Sequence, residues 1–232
     1  MCDYVKLCFL KTQRHHYDDA FSISGVSINF YEKGNEFMSK TVCFTGKRPK
    51  YLCGYNREKY NRFVKQLSDI INTLYNQGFH RFVSGGAQGF DQLAFEAVSI
   101  SKRRYNLSDI ENVLYLPFES FGSQWPEKGA FGQHTLRCYK QMAYETRIVS
   151  DEPTTKSDAI WKLMTRNYAM VNDSDLIVAL VPHTNPDNPG GGTEDCIKYA
   201  TRSNKQVLLL EYKIVNTELI IACVRYKQNT KR

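Results

Sequence analysis

The chain has 232 residues, of which 24% are charged and 13% aromatic, and carries a formal net charge of +7. That composition excludes a wholly disordered chain, and 14 Gly with 7 Pro exclude collagen-like and low-complexity readings. No apolar stretch approaches the roughly 20 residues of a membrane helix.

The length suits one large α/β domain. The charge is −1 over residues 1–39, +4 over 213–232 and about +4 over the body between them. Such a body suits a small anionic ligand as well as it suits nucleic acid. The seven Cys (2, 8, 43, 53, 138, 196 and 223) are odd in number and form no C-x-x-C. They read as small buried residues in a reducing, cytoplasmic compartment, with no disulfide framework. The five His show no zinc-ligand spacing, so no metal is expected. The start lacks the basic and then apolar pattern of a secretory signal.

Residues 1–39 read as an N-terminal extension or an edge hairpin, since only 21–30 alternates like a strand. From residue 41 the alternation is regular. Residues 41–45 form a short buried strand ending at Gly46. Residues 57–77 form a helix, with Tyr60, Phe63, Val64, Leu67, Ile70, Ile71 and Leu74 recurring at three and four. A strand over 80–84 leads into the turn 85–91 and a helix to about Arg103. Residues 112–117 are a strand entering a long loop through Trp125, and 133–143 a helix before a short strand at 146–149. Residues 158–172 are an amphipathic helix with Ile160, Trp161, Met164, Tyr168 and Val171 on one face. The run 176–181 is a strand buried on both faces. The loop 183–192 follows, then a helix from Thr193 to about Thr201 and a last core strand at 205–211. The basic segment 213–232 reads as a solvated terminus or a weak phosphate-backbone contact.

Strand and helix in alternation with short connections predict a Rossmann-like, doubly wound α/β fold. Its mainly parallel sheet, over residues 40–212, is flanked by helices. In such sheets ligands lie beyond the carboxyl ends of the strands, and three loops leave strands there. Thr45, Gly46, Lys47 and Arg48 offer close backbone approach and two cations, or simply a tight turn. Ser84, Gly85, Gly86, Gly89 and Asp91 leave backbone N–H groups uncovered at a helix start, a phosphate cradle. Asp91 caps that helix or holds a ribose hydroxyl. Gly190, Gly191, Gly192, Thr193 and Glu194 form a second N–H nest, with Thr193 placed to cap the next helix. Arg166 and Asn167 lie on the helix before the 176–181 strand, where the guanidinium either reaches a phosphate or faces solvent. Trp125 and Tyr51 either stack on a base or pack locally.

The ordered set Thr45-Gly-Lys-Arg-Pro49, Ser84-Gly-Gly-Ala-x-Gly-x-Asp91, Leu116-Pro-Phe118 with Trp125, Arg166-Asn167 with Met170-Val171 and Ser174-Asp175, and Gly191-Gly-Thr193 resembles the YpsA-like branch of the SLOG superfamily. The resemblance covers about residues 40–211. It implies a Rossmann-like sheet binding a phosphorylated nucleotide or an NAD- or ADP-ribose-derived ligand. No further cofactor and no membrane are implied, and a homodimer is common in the superfamily. The superfamily also holds the Lonely Guy phosphoribohydrolases and the DNA-processing protein DprA. These supply two alternatives: hydrolysis of a nucleoside monophosphate by Arg166 with Glu194 or Asp195, and single-stranded DNA binding. Two departures stand out. Lys47 replaces a usual His, and Cys196 falls where the hydrolase Glu would be.

Overall fold

A computed structural model describes residues 39–227. The readings made for residues 1–38 and 228–232 lie outside it. Seven strands form one sheet: β1 (Lys40–Thr45), β2 (Phe79–Ser84), β3 (Glu111–Leu116), β4 (Glu145–Ile148), β5 (Leu176–Pro182), β6 (Gln206–Val215) and β7 (Glu218–Tyr226). Their order is β4-β3-β2-β1-β5-β6-β7. Neighbours are parallel except β6 and β7. Five α-helices connect them: α1 (Asn61–Tyr75), α2 (Phe90–Arg104), α3 (Gln133–Met142), α4 (Lys156–Asn172) and α5 (Gly191–Arg202). This is the Rossmann-like doubly wound arrangement that the strand–helix alternation predicts.

The pleat sorts the core into two layers. Cys43, Val83, Val113, Ile177, Ala179 and Val181 face α4 and α5, meeting Met170, Val171 and Ile197. Phe44 and Phe82 point the other way and stack at 6.3 Å, while Phe63 of α1 and Phe90 of α2 meet edge to face at 6.0 Å. Each such phenyl, fully withdrawn from water, contributes on the order of 1.5–3 kcal/mol. Apolar residues at three- and four-residue spacing make α1 bury Phe63, Leu67, Ile70, Ile71 and Leu74.

Two elements differ from the sequence reading. The last core strand does not stop at Glu211. β6 continues to Val215, and Asn216 and Thr217, at φ 50° and 67°, turn the chain into β7. Two consecutive residues at positive φ are the mark of a type I′ hairpin, usually signalled by Asn-Gly; Asn-Thr hides it. Within the basic segment, Arg225 Nε donates to Glu211 Oε1 at 2.6 Å and its Nη2 to Asp187 at 3.3 Å. These bonds draw Arg225 into the sheet. In α4 the apolar residues Ile160 and Trp161 are exposed, and the buried positions are Arg166, Met170 and Val171.

The β6–β7 register skips Ala222, between the pairs Glu211–Cys223 and Tyr212–Ile221. At this bulge the main chain of Ile221 finds its partner in a side chain. The Ile221 N–H donates to Gln66 Oε1 at 2.9 Å, and Gln66 Nε2 donates to the Ile221 carbonyl at 3.4 Å. Replacing Gln66 with Met keeps the volume but orphans two buried backbone groups. The variant should lose about 1–3 kcal/mol of stability in urea unfolding. A midpoint and slope equal to wild type would show that this contact contributes nothing.

Candidate functional site

The direction of winding reverses at β1, with β2 on one side and β5 on the other. The loops leaving β2, β1 and β5 therefore rise side by side from one edge of the sheet, at the switch point where open α/β sheets take ligands. They touch one another. Phe90 N–H donates to the Lys47 carbonyl at 3.1 Å, joining the first loop to the second. Lys47 Nζ donates to the Gly190 carbonyl at 2.8 Å and also to that of Pro189, joining the first to the third. Gly89, at φ +96°, makes the first junction possible: a Cβ there would lie 2.5 Å from the Lys47 carbonyl oxygen.

Beneath this rim α4 delivers Arg166, only 3% exposed. Its Nη1 lies 3.3 Å from Asp91 Oδ2, in the first turn of α2. Asp91 Oδ2 also accepts from Ala87 N–H at 3.4 Å. A Cβ on Gly85 would overlap Arg166 Nη1 and come within 2.5 Å of Asp91 Oδ2, so only Gly lets the guanidinium lie against the strand end. Arg166 Nε is buried and has no hydrogen-bond partner among the described residues. Burial pushes the Asp91 carboxyl above its ordinary range, against the opposing pull of Arg166 and then Arg48. Burial likewise lowers the Arg48 guanidinium, with Asp91 pulling it back up and Arg166 pushing it further down. Two guanidiniums thus share one carboxylate in a poorly hydrated place. Among the described residues this leaves a local excess of positive charge, with an unused donor beside it, in a place where a charge is poorly solvated.

The sequence-predicted residues sort into three groups. Gly85, Asp91, Arg166 and Arg48 form the cluster itself, whereas the Asn167 side chain lies at the third loop, its Nδ2 3.8 Å from where a Cβ on Gly192 would lie. Gly46 and Gly86 answer to packing: a Cβ would meet the Phe90 ring at 2.5 Å and Leu116 Cδ2 at 2.7 Å, respectively. The side chain of Thr45 hydrogen-bonds Cys196, whose thiol burial pushes up to about 11. Strand alternation sets Ser84 on the Phe82 face, opposite to the face where Gly85 meets Arg166. Its hydroxyl has no partner among the described residues.

The third loop differs in detail from the expectation. α5 starts at Gly191 with Gly190 as its cap, two residues earlier than predicted, so Thr193 is buried in the first turn instead of capping it. Gly190 N–H is already taken, donating to Glu194 Oε2 at 2.9 Å. Lys198 and then this N–H hold the Glu194 carboxyl below its usual range. Asp195 is exposed. Likewise Asp91 does not cap α2, whose cap is Gly89; its carboxylate turns to Arg166 and Ala87. Trp125 packs edge to face on Phe121 at 5.1 Å, whereas Tyr51 stays exposed. Sequence reasoning passes over Tyr55, which lies beside Arg48. Its signal was the short Tyr-x-x-Gly-Tyr turn that brings both rings back to the same loop.

A family model described as the YspA SLOG family matches residues 42–215. The chain is also 26% identical over 145 residues to YoqJ, an uncharacterized SPbeta prophage-derived protein of Bacillus subtilis (strain 168). That match spans 60% of this chain and 80% of the relative.

Two measurements check this geometry. Gly85→Ala should cost about 1–3 kcal/mol in chemical unfolding, since the methyl group forces the Arg166–Asp91 pair apart; an unchanged midpoint would refute the contact. The second concerns pH. Asp91 in the folded chain binds its proton more tightly than at the ordinary value of 3.8, so the native state holds more protons than the unfolded state above that pH. Wild type should therefore lose stability relative to Asp91→Asn as pH rises from 3.8 through the native pKa. A difference that stays flat or runs the other way would contradict the burial argument.

Proposed function

The chain belongs to the YspA SLOG family, and on that premise we propose that it binds a phosphorylated nucleotide, or a ligand derived from NAD or ADP-ribose, to sense or sequester it. The observation that carries this reading is the buried Arg166 beneath Gly85, with Arg48 at hand and Asp91 as the one carboxylate between them. A phosphate would supply the missing negative charge and an acceptor for Arg166 Nε in one group. The first-turn N–H groups of α2 face the same rim and favour the same charge, whereas the amino end of α5 already holds the Glu194 carboxylate.

Binding is favoured over the hydrolytic alternative by the fate of its carboxylates. Glu194 is held by Gly190 and Lys198, Asp195 is exposed, and position 196 carries a buried thiol that stays protonated at neutral pH. Acid–base cleavage of a ribose–base bond needs a placed acid, and these groups are not poised for it. The DNA-binding alternative draws on the net charge of +7 and on the basic C-terminal segment, and of that segment Arg225 and Lys227 are paired with Glu211 and Asp187.

Calorimetry against a panel of nucleotides tests the proposal. Wild type should bind at least one member at micromolar to millimolar concentration. The double variant Asp91→Asn/Arg166→Met, which removes both charges without orphaning either, should bind at least about tenfold more weakly while keeping the wild-type far-ultraviolet circular dichroism. No binding by wild type at millimolar ligand, or equal binding by the variant, would reject it. Release of free base from AMP would move the assignment to a phosphoribohydrolase.

A further inference from the structure

A glycine-lined anion site holds a phosphate and says nothing of what the phosphate is attached to. The aromatic surface around it does. Among the described residues four aromatic side chains are strongly exposed: Tyr51 at 58%, Tyr55 at 59%, Tyr144 at 66% and Trp161 at 62%. Tyr144 precedes β4, so it lies at the amino-terminal edge of a parallel sheet whose loops of interest leave the carboxyl edge. Trp161 stands five residues before Arg166 on α4. At about 100° per residue it points roughly 140° away from the guanidinium, outward from the sheet. Tyr51 and Tyr55 remain, both on the loop that follows β1.

That loop is tied to the anion site through Lys47 and Arg48, and its third cation, Lys50, lies 4.7 Å from the centre of the Tyr51 ring. Lys47 Nζ, which holds the Gly190 carbonyl, lies 5.9 Å from the centre of the Tyr51 ring. Tyr55 is close enough to Arg48, the second guanidinium of the cluster, to help offset the lowering of that guanidinium by burial. The backbone beneath the rings is fixed. Leu52 and Gly54 N–H donate to the Pro49 carbonyl at 2.9 and 3.0 Å, and Tyr212 Oη donates to the Tyr51 carbonyl at 3.1 Å. The Tyr55 ring leans edge-on against Phe131 at 6.4 Å, so its orientation is supported as well. Two rings, each more than half exposed, thus stand on a braced turn next to that cluster, and the flexible Lys50 ammonium over Tyr51 is the group a base would displace.

We propose that Tyr51 and Tyr55 form an aromatic subsite that stacks the base of a nucleotide whose phosphate lies against Arg48 and Arg166. The inference rests on the binding function above and narrows its ligand class. The partner is a base-bearing nucleotide, and a bare sugar phosphate or inorganic phosphate fills only half of the site. Stacking reads the face of a ring and not its edge, so the subsite accepts any base and favours the larger purine surface.

The experiment is calorimetric titration of AMP and ribose 5-phosphate into wild type, Tyr51→Ala/Tyr55→Ala and Tyr51→Phe/Tyr55→Phe. AMP should bind wild type about tenfold or more tightly than ribose 5-phosphate. The alanine pair should erase that advantage and leave ribose 5-phosphate binding unchanged, and the phenylalanine pair should retain it. If ribose 5-phosphate binds as well as AMP, or the AMP advantage survives in the alanine pair, the aromatic subsite is wrong while the phosphate site stands. If neither compound binds wild type while another nucleotide of the panel does, the subsite as drawn is wrong and the phosphate site stands; if no nucleotide of the panel binds, both fall.

Discussion

The site depends on a guanidinium in a place where guanidiniums are costly. Among the described residues, Arg166 is withdrawn from water, has one carboxylate, Asp91, beside it and keeps a donor unused. A buried ion pair is poor evidence for stability, because desolvation roughly cancels the attraction. An aliphatic residue at the same point of α4 would close the core more simply. The arrangement makes physical sense as a cation held ready, its solvation shell replaced by one carboxylate and by a ligand still to come. Pre-organisation of this kind lowers the cost of binding, since neither the charge nor the backbone has to be assembled when the anion arrives.

The glycines around it serve different ends. Gly85 makes room for the guanidinium, and Gly89 lets the first loop lie against the second. Gly46 and Gly86 make room for Phe90 and Leu116, so packing alone already requires glycine at both positions. The third loop is held from two sides, by Lys47 through its carbonyls and by Glu194 through the Gly190 N–H. The protein's own carboxylate thus sits at the amino end of α5, where an incoming anion would otherwise be drawn. On the proposed reading, the Arg166 cluster is the place of the two that still has charge to offer a ligand.

Much of the architecture is legible in the sequence because each strand and helix carries its own period. α1 shows its buried face in Phe63, Leu67, Ile70 and Leu74, and β5 shows double-sided burial in an unbroken apolar run. β7 was hidden because its turn uses Asn216 and Thr217 in a conformation usually written Asn-Gly, and because Arg225 and Lys227 give the segment the look of a solvated tail. α4 misleads for a related reason. Its apolar side chains at 160 and 161 point to solvent, and an arginine is turned inward together with Met170 and Val171. Hydrophobic periodicity cannot see a helix that buries a charge. The candidate site was legible as a list and not as a geometry. Sequence spacing brings Gly85, Asp91 and Arg166 forward, but only coordinates tell Gly85 from Gly86, or an exposed Tyr51 from a packed Trp125.

The central claim is that Arg166 Nε waits for an anion, and the proton on that nitrogen can report on it directly. In nitrogen-edited NMR spectra of the labelled protein, the Arg166 Nε–H signal is identified by its loss in Arg166→Met. Addition of AMP should move this signal in a saturable way, with the same apparent Kd as calorimetry gives. A signal that stays in place while AMP binds would mean that the ligand goes elsewhere and that the buried guanidinium is structural only.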